Sequence, residues 1–413
     1  MIETKFKDTE IGKIPKEWEL DKLGNSFKFK SNNTLSRDAL SVSGTIQDVH
    51  YGDVLIKYGS HLDVQKESVP YISNLEYKSS DFIENGDVII ADTAEDETVG
   101  KATEVLNVRN NKLVSGLHTM WLHPQKKERY SLGYLGYAFN AGIYHDQLVP
   151  LMQGTKVTSV SKSAIKDTYI LVPPKPEQAR IATTLSTIDN LISELEKLIE
   201  KKRAIKQGAM QQLLTGKRRL KGFSEPWKEM KLGEIGTLSM CKRIFQEETS
   251  SAGDVPFYKI GTFGQKADAY ITKAKYELFK RLYRFPQKGD VLISAAGTIG
   301  RTVVYDGNPA YFQDSNIVWL AHTEKNILNT FLFYVYQRID WNTENTTIAR
   351  LYNSNFNNTV VRFPKTLEEQ SAIVSILSSI DDEIAKLKAK RDKYIAIKQG
   401  MMQQLLTGKI RLI

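Results

Sequence analysis

The chain has 413 residues, 41% of them hydrophobic and 25% charged, a formal net charge of +9 and a single cysteine. That length calls for two or three domains, since one core seldom grows beyond about 250 to 300 residues. One cysteine, Cys241, excludes an internal disulfide framework and fits a reducing compartment, and the positive balance favours a polyanionic partner without by itself naming nucleic acid.

In chain order, the opening "MIETKFKDTEIGKIPKEW" lacks the apolar core of a secretion signal. "GDVIIAD" (Gly86 to Asp92) reads as a turn followed by a buried strand, "HTMWL" (His118 to Leu122) as another strand, and "SLGYLGYAFNAG" (Ser131 to Gly142) as a helix. Beyond Pro174 the period changes. Ile181, Leu185, Ile188, Ile192, Leu195 and Ile199 step by four and three, the seam of a coiled coil. A helix from Pro176 to Leu214 would be roughly 55 to 60 Å long at 1.5 Å per residue. Lys202 breaks the seam, and Gly216 is a natural helix stop. The plan then repeats. "GDVLISA" (Gly289 to Ala295) and "NIVWL" (Asn316 to Leu320) predict strands, and "NILNTFLFYVYQRI" (Asn326 to Ile339) predicts a helix. That run is too short and interrupted to span a bilayer. A second seam follows through Ile373, Leu377, Ile380, Ile384 and Leu387, broken at Arg391 and stopped at Gly408.

Shifted by 192 residues, Glu177 to Leu220 lies over Glu369 to Leu412 without a gap, with about 25 identities in 44 positions. Upstream the repeat is weaker: "EWELDKLG" resembles "PWKEMKLG", and "NGDVIIADTAEDETVGK" resembles "KGDVLISAAGTIGR". The expected fold is α+β: two similar globular domains joined by two long antiparallel helices that form a coiled coil, in a pseudo-two-fold internal repeat. The expected domains are 1–175 and 218–366, with the helices at 176–217 and 367–413. Two unrelated amphipathic helices, each packed on its own body, remain the plainer alternative.

Catalytic signals are scarce. There is no G-x-x-x-x-G-K-[ST] loop and no dinucleotide fingerprint. No Asn/Asp-Pro-Pro-aromatic methylation box is present either. His118 and His123 lack a second pair of ligands at zinc spacing, and Cys241 reads as a small packed residue. Asp63 with Glu76 and Lys78 loosely imitates a metal-dependent nuclease site, a pattern common by chance.

Matched loops carry donors instead. "KYGSH" (Lys57 to His61) lies over "KIGTF" (Lys259 to Phe263), "TVGK" (Thr98 to Lys101) over "TIGR" (Thr298 to Arg301), and "QGTKVTSVS" (Gln153 to Ser161) over "TTIARLYNS" (Thr346 to Ser354). Cations neutralise phosphates, and hydroxyls, amides and guanidinium groups read base edges. The candidate DNA-binding residues are Lys57, Ser60, His61, Thr98, Lys101, Thr155, Lys156, Thr158 and Ser161 in the first body. In the second they are Lys259, Thr262, Thr298, Arg301, Arg350, Tyr352 and Asn353. The acidic group Asp92, Glu95, Asp96 and Glu97 has no counterpart in "SAAGTIGR"; it is either a solvated loop edge or an acceptor for a cytosine amino group. The plain alternative for all these loops is solvated polar turns.

The opening "TEIGKIPKEWEL", the junctions "LVPPKPEQ" and "RFPKTLEEQ", the heptad tails and the doubled "KQGxMQQLLTGK" closely resemble the specificity subunit of type I restriction–modification enzymes, over essentially the whole chain. The resemblance implies a non-catalytic, cytoplasmic subunit with no membrane association. Each body would read one half of a split, non-palindromic double-stranded DNA site, and the coiled coil would set the spacing. It implies assembly with two methyltransferase subunits and with motor-nuclease subunits. S-adenosylmethionine, ATP and Mg²⁺ would belong to those partners, with no cofactor bound by this chain. The polar runs Gln211–Gln212 and Gln403–Gln404 are then the expected methyltransferase contact. A lone nuclease or modification enzyme, and a structural adaptor without a DNA role, are the rival expectations.

Overall fold

A computed structural model of the chain describes residues 5–74, 77–341 and 350–413. Two compact units emerge: Met1–Glu196 with Ala389–Ile413, and Lys197–Lys388.

In the first unit a five-stranded sheet runs in the order Phe27–Lys30, Thr119–Pro124, Val88–Ala91, Ala102–Leu106, His61–Asp63. Neighbours are antiparallel except the last pair, which is parallel. The central strand Val88–Ala91 is buried on both faces. Because side chains alternate across a strand, Val88 and Ile90 join one core with Met120 and Leu122, while Ile89 and Ala91 join another with Trp121 and Leu62. That two-sided burial is why the segment is a continuous apolar run. The Gly-Asp pair before it shapes the entry. Gly86 takes φ +83, and Asp87 accepts from the Glu84 amide at 2.9 Å. A smaller sheet pairs Gln47–Val49 in parallel with Leu113–Ser115 and antiparallel with Tyr71–Ile72.

The second unit repeats this plan. Its sheet runs Thr237–Met240, Ile317–Ala321, Val291–Ser294, Thr302–Val304, all antiparallel. Val291 and Ile293 face one core and Leu292 with Trp319 the other. Gly289 has φ +95, and Asp290 accepts from the Gln287 amide at 2.8 Å. The smaller sheet again holds one parallel pair, Val255–Tyr258 with Tyr311–Phe312.

Each body is entered and left through one short ladder: Glu19–Lys22 against Tyr169–Val172 in the first unit, Lys228–Lys231 against Val360–Phe363 in the second. The helix expected over Ser131 to Gly142 is corrected to two pieces, Tyr134–Ala138 and Gly142–Leu148. The break falls at Asn140, whose amide takes both backbone groups of Ala102 (N–H···Oδ1 3.2 Å, Nδ2–H···O 2.6 Å) and so ties the chain to the sheet.

The long helices span Lys175–Leu213 and Leu367–Leu405. Gln178 fixes the first turn of one by donating to the Pro173 and Arg129 carbonyls (2.8 and 3.2 Å) and accepting from the Ser131 amide (2.9 Å). Gln370 does the same with Pro364, Asn326 and Leu328. Gly216 and Gly408 stop the helices at φ +70 and +69, the left-handed region that glycine enters without cost. The Arg218 amide returns to the Gln212 carbonyl, and the Ile410 amide to that of Gln404.

Within each unit the two helices run antiparallel. In the first, Glu177 meets Arg411 (2.8 Å) and Asp189 meets Lys398 (2.6 Å). In the second, Lys206 meets Asp381 (2.6 Å), Lys202 bonds Glu383, and Arg219 meets Glu369 (2.7 Å). Leu405 and Leu406, from the second tail, pack with Trp18, Tyr134 and Leu185 in the core of the first unit. Met210, Leu213 and Leu214, from the first tail, pack with Phe331, Ile373 and Leu377 in the second. Each repeat's closing phrase therefore completes the other repeat's body.

Candidate nucleic-acid interface

Three loops meet at one end of the five-stranded sheet. Strand directions put residues 57–60, 92–101 and 116–118 at that end, because Thr119 pairs with Ala91 and His61 with Glu104. The loop of residues 153–161 is drawn in by a two-residue ladder, Thr158–Ser159 with Thr93–Ala94, and by the Val160 amide donating to the Asp92 carbonyl (2.9 Å). The second unit gathers the matching loops. The Leu351 amide donates to the Ala295 carbonyl (2.8 Å), Ala296 bridges Arg350, and Arg301 reaches the Phe263 carbonyl (3.0 Å). These contacts correct the alignment of the third loop by two residues: Arg350 occupies the place of Ser159, not of Val157. Thr346 to Ala349, from the same stretch, lie outside the described residues.

The candidate residues divide by what their side chains do. Lys57, Thr98, Thr155, Lys156 and Ser161 are exposed, as are Thr298, Arg350, Tyr352 and Asn353. Ser60, Thr158, Lys259 and Thr262 are half-buried. Several are also committed locally. Lys57 donates to the Ser68 carbonyl, Lys259 pairs with Asp268 at 2.9 Å, and Ser161 caps the helix Lys162–Lys166 through the Ala164 amide. The Asp96 carboxylate takes both the amide and hydroxyl of Thr98, at 2.9 and 2.6 Å, and this bond holds its own carboxyl below the usual range.

His61, Lys101 and Arg301 turn inward. The Lys101 ammonium holds the Leu55 carbonyl at the end of the helix Tyr51–Ile56, as Arg301 holds Phe263. The His61 Nε2 lies 2.8 Å from the Gly133 carbonyl and 3.9 Å from Glu104, with the ring edge-on to Tyr137 at 4.5 Å. Burial lowers its pKa, so it is held neutral. These three shape the loops from behind.

Asp63 sits at the opposite end of its strand, paired with Lys66 at 3.0 Å, and Glu76 of the nuclease-like pattern lies outside the described residues. His123 is bound to Asp87 (2.8 Å) away from His118. Among the described residues no group of three or more His, Cys, Asp or Glu could hold a metal ion, and no helix is long and apolar enough to cross a membrane. Cys241 is buried in a core, and burial pushes its thiol up to about 12.

Gln211, Gln212 and Gln403 are exposed and Gln404 half-buried. Gln403 borders a groove of about 990 Å³ lined also by Phe6, Ile11, Ile143, Gln399 and Met402. Sequence reasoning missed two features: the Arg411–Glu177 and Arg219–Glu369 clasps, and the cluster of His118 with Asp92 and Tyr51. The clasps had a signal in the identities of Glu177 with Glu369 and Arg219 with Arg411. The cluster had none, because its members come from three separate segments.

Two bodies of one plan, each with polar loops at one end of its main sheet and each completed by a long helix of the other repeat, define the class of fold. Residues 15–207 and 224–395 match the model of the type I restriction modification DNA specificity domain. The chain belongs to that family. It is 40% identical over 248 residues to a protein of Haemophilus influenzae named as a type I restriction enzyme specificity subunit, covering 59% of this chain and 64% of that one. It is 25% identical over 442 residues to the MjaX specificity subunit of Methanocaldococcus jannaschii, covering 99% and 97%. Among solved structures, the S subunit of a type I restriction–modification system from M. genitalium matches with a TM-score of 0.55 at 16% identity, over 94% of this chain and 96% of that one. A chain from a study of complex assembly and conformational transition of the type I R-M system matches with a TM-score of 0.59 at 18% identity, over 96% and 99%.

Proposed function

We propose that this chain is the DNA-specificity subunit of a cytoplasmic type I restriction–modification complex, non-catalytic and without a cofactor of its own. Each body reads one half of a bipartite, non-palindromic site in double-stranded DNA. The helices fix the distance between halves, and the chain carries two methyltransferase subunits and, through them, the motor-nuclease subunits. S-adenosylmethionine, ATP and Mg²⁺ act in those partners. The observation that carries this is that both units draw a distant loop onto the end of the central sheet strand through the same backbone bonds, Val160 to Asp92 in one and Leu351 to Ala295 in the other, with different residues at each. A repeated scaffold keeps the docking; divergent loops give two different half-sequences. The groove beside Gln403 supports a methyltransferase contact at the closing phrase of the second tail.

The test is to coexpress the chain with its methyltransferase subunit and map methylated sites. A bipartite motif with unlike halves and a fixed spacer is expected. Seven residues inserted into each long helix add roughly 10 Å, so the spacer should grow by about three base pairs at 3.4 Å each. A spacer that stays the same while the halves are still recognised would exclude the helices as the ruler. DNA cutting or methylation by the purified chain alone would exclude a non-catalytic role.

A further inference from the structure

His118 immediately precedes the strand Thr119–Pro124 with φ +53, a left-handed conformation uncommon outside glycine, which histidine enters more readily than most residues. Two segments hold it there, Asp92–Thr93 and Tyr51. Its carbonyl accepts from the Asp92 amide (3.1 Å), which sets the backbone. Its ring lies edge-on to Tyr51 at 5.3 Å and 80°. Its Nδ1 is 3.3 Å from the Thr93 hydroxyl and 3.5 Å from Asp92 Oδ1, and that hydroxyl donates to Asp92 at 2.8 Å. Yet the side chain is 46% exposed at the loop end. A strained backbone held from two sides at a surface points to a task for the side chain that packing does not explain.

Granted that this loop end faces DNA, we infer that His118 is a specificity-determining residue of the first unit and reads a base edge through Nε2. The Thr93 hydroxyl and the Asp92 carboxylate engage Nδ1, which leaves Nε2 as the ring nitrogen for a base. In the major groove a neutral ring accepts there from the amino group of adenine or cytosine, and a protonated ring donates to the N7 or O6 of guanine. The second unit makes the same backbone bond, the Ala295 amide to the Asn316 carbonyl at 2.8 Å. There an amide replaces the imidazole and alanine replaces its carboxylate partner, so one structural position carries different recognition chemistry in the two halves.

The experiment maps methylation by the assembled complex carrying His118→Asn, His118→Ala or Asp92→Asn. His118→Ala should relax one position of the first half-site, lowering discrimination there roughly tenfold or more. Asp92→Asn keeps the ring and its packing but removes the carboxylate that engages Nδ1, and should relax the same position. The second half-site and the spacer should not change. Unchanged base preference at every position in all three variants would overturn the inference, as would uniform loss across both half-sites. If the unaltered complex gave no bipartite motif, the proposed function would fall instead.

Discussion

Lys156 and Arg350 are exposed on the loops that close the sheet ends, whereas Lys101 and Arg301 spend their charge on carbonyls of neighbouring segments, Leu55 and Phe263. Replacing Lys156 and Arg350 by alanine should therefore weaken DNA binding by the complex at all sequences alike. The plot of log affinity against log salt should become shallower by about 0.9 for each phosphate left without its cation, with the motif intact. An unchanged slope would mean that neither side chain neutralises a phosphate. Behind the first unit's loops, Glu104 is 1% exposed and accepts from the Gly133 and Gly136 amides (2.7 and 2.8 Å), with His61 beside it. Burial raises its carboxyl from 4.5 to about 7 against the pull of those amides. The folded state thus keeps a proton that the unfolded chain releases. The stability this provides is complete below pH 4.5 and is lost as pH rises through 7, a swing of roughly 3 kcal/mol at most. Thermal unfolding of Glu104→Gln across pH 4 to 8 should lack that decline. A parallel decline in variant and parent would place its cause elsewhere, for instance at buried Asp48, raised to about 6.

At the level of elements, the repeated tail was legible because its heptad spacing, its glycine stops and its Glu-Gln openings are local patterns. The split of the Ser131 to Gly142 helix was not legible, since it depends on Asn140 finding Ala102 across the sheet. Nor was the exchange of tails legible: periodicity reveals an apolar face but not which core receives it. The clasps secure that exchange. Arg411 bonds both oxygens of Glu177 at 2.8 Å and lies over Trp18, whose indole donates to the same carboxylate at 3.0 Å. Arg219, Glu369 and Trp227 repeat the arrangement. The side chains of Arg411 and Glu177 are 8% and 3% exposed, so truncating the arginine strands a buried charge. Arg411→Ala should cost roughly 3 to 5 kcal/mol in unfolding of the first unit. Arg219→Ala should cost less, because that arginine is closer to water. A loss under about 1 kcal/mol for Arg411→Ala would mean that the carboxylate finds water and that the clasp is dispensable.

For the whole molecule, the sequence showed two bodies and one scaffold, and the family match agrees. The candidate site was legible only as a set of loops. His61, Lys101 and Arg301 looked like surface donors because a loop position does not tell which way a side chain turns. His118 drew notice only as a poor metal ligand, because its φ and its partners exist only in three dimensions. The central claim is that each body reads its own half-site as a separable module, and the short ladders give the means to test it. Replacing Lys228–Phe363 by a second copy of Glu19–Val172 exchanges the bodies at matched ladder positions. Methylation mapping with this chimera and the methyltransferase subunit should give a site whose two halves are the same sequence on opposite strands, with the spacer unchanged. A motif that keeps the original second half would contradict the account.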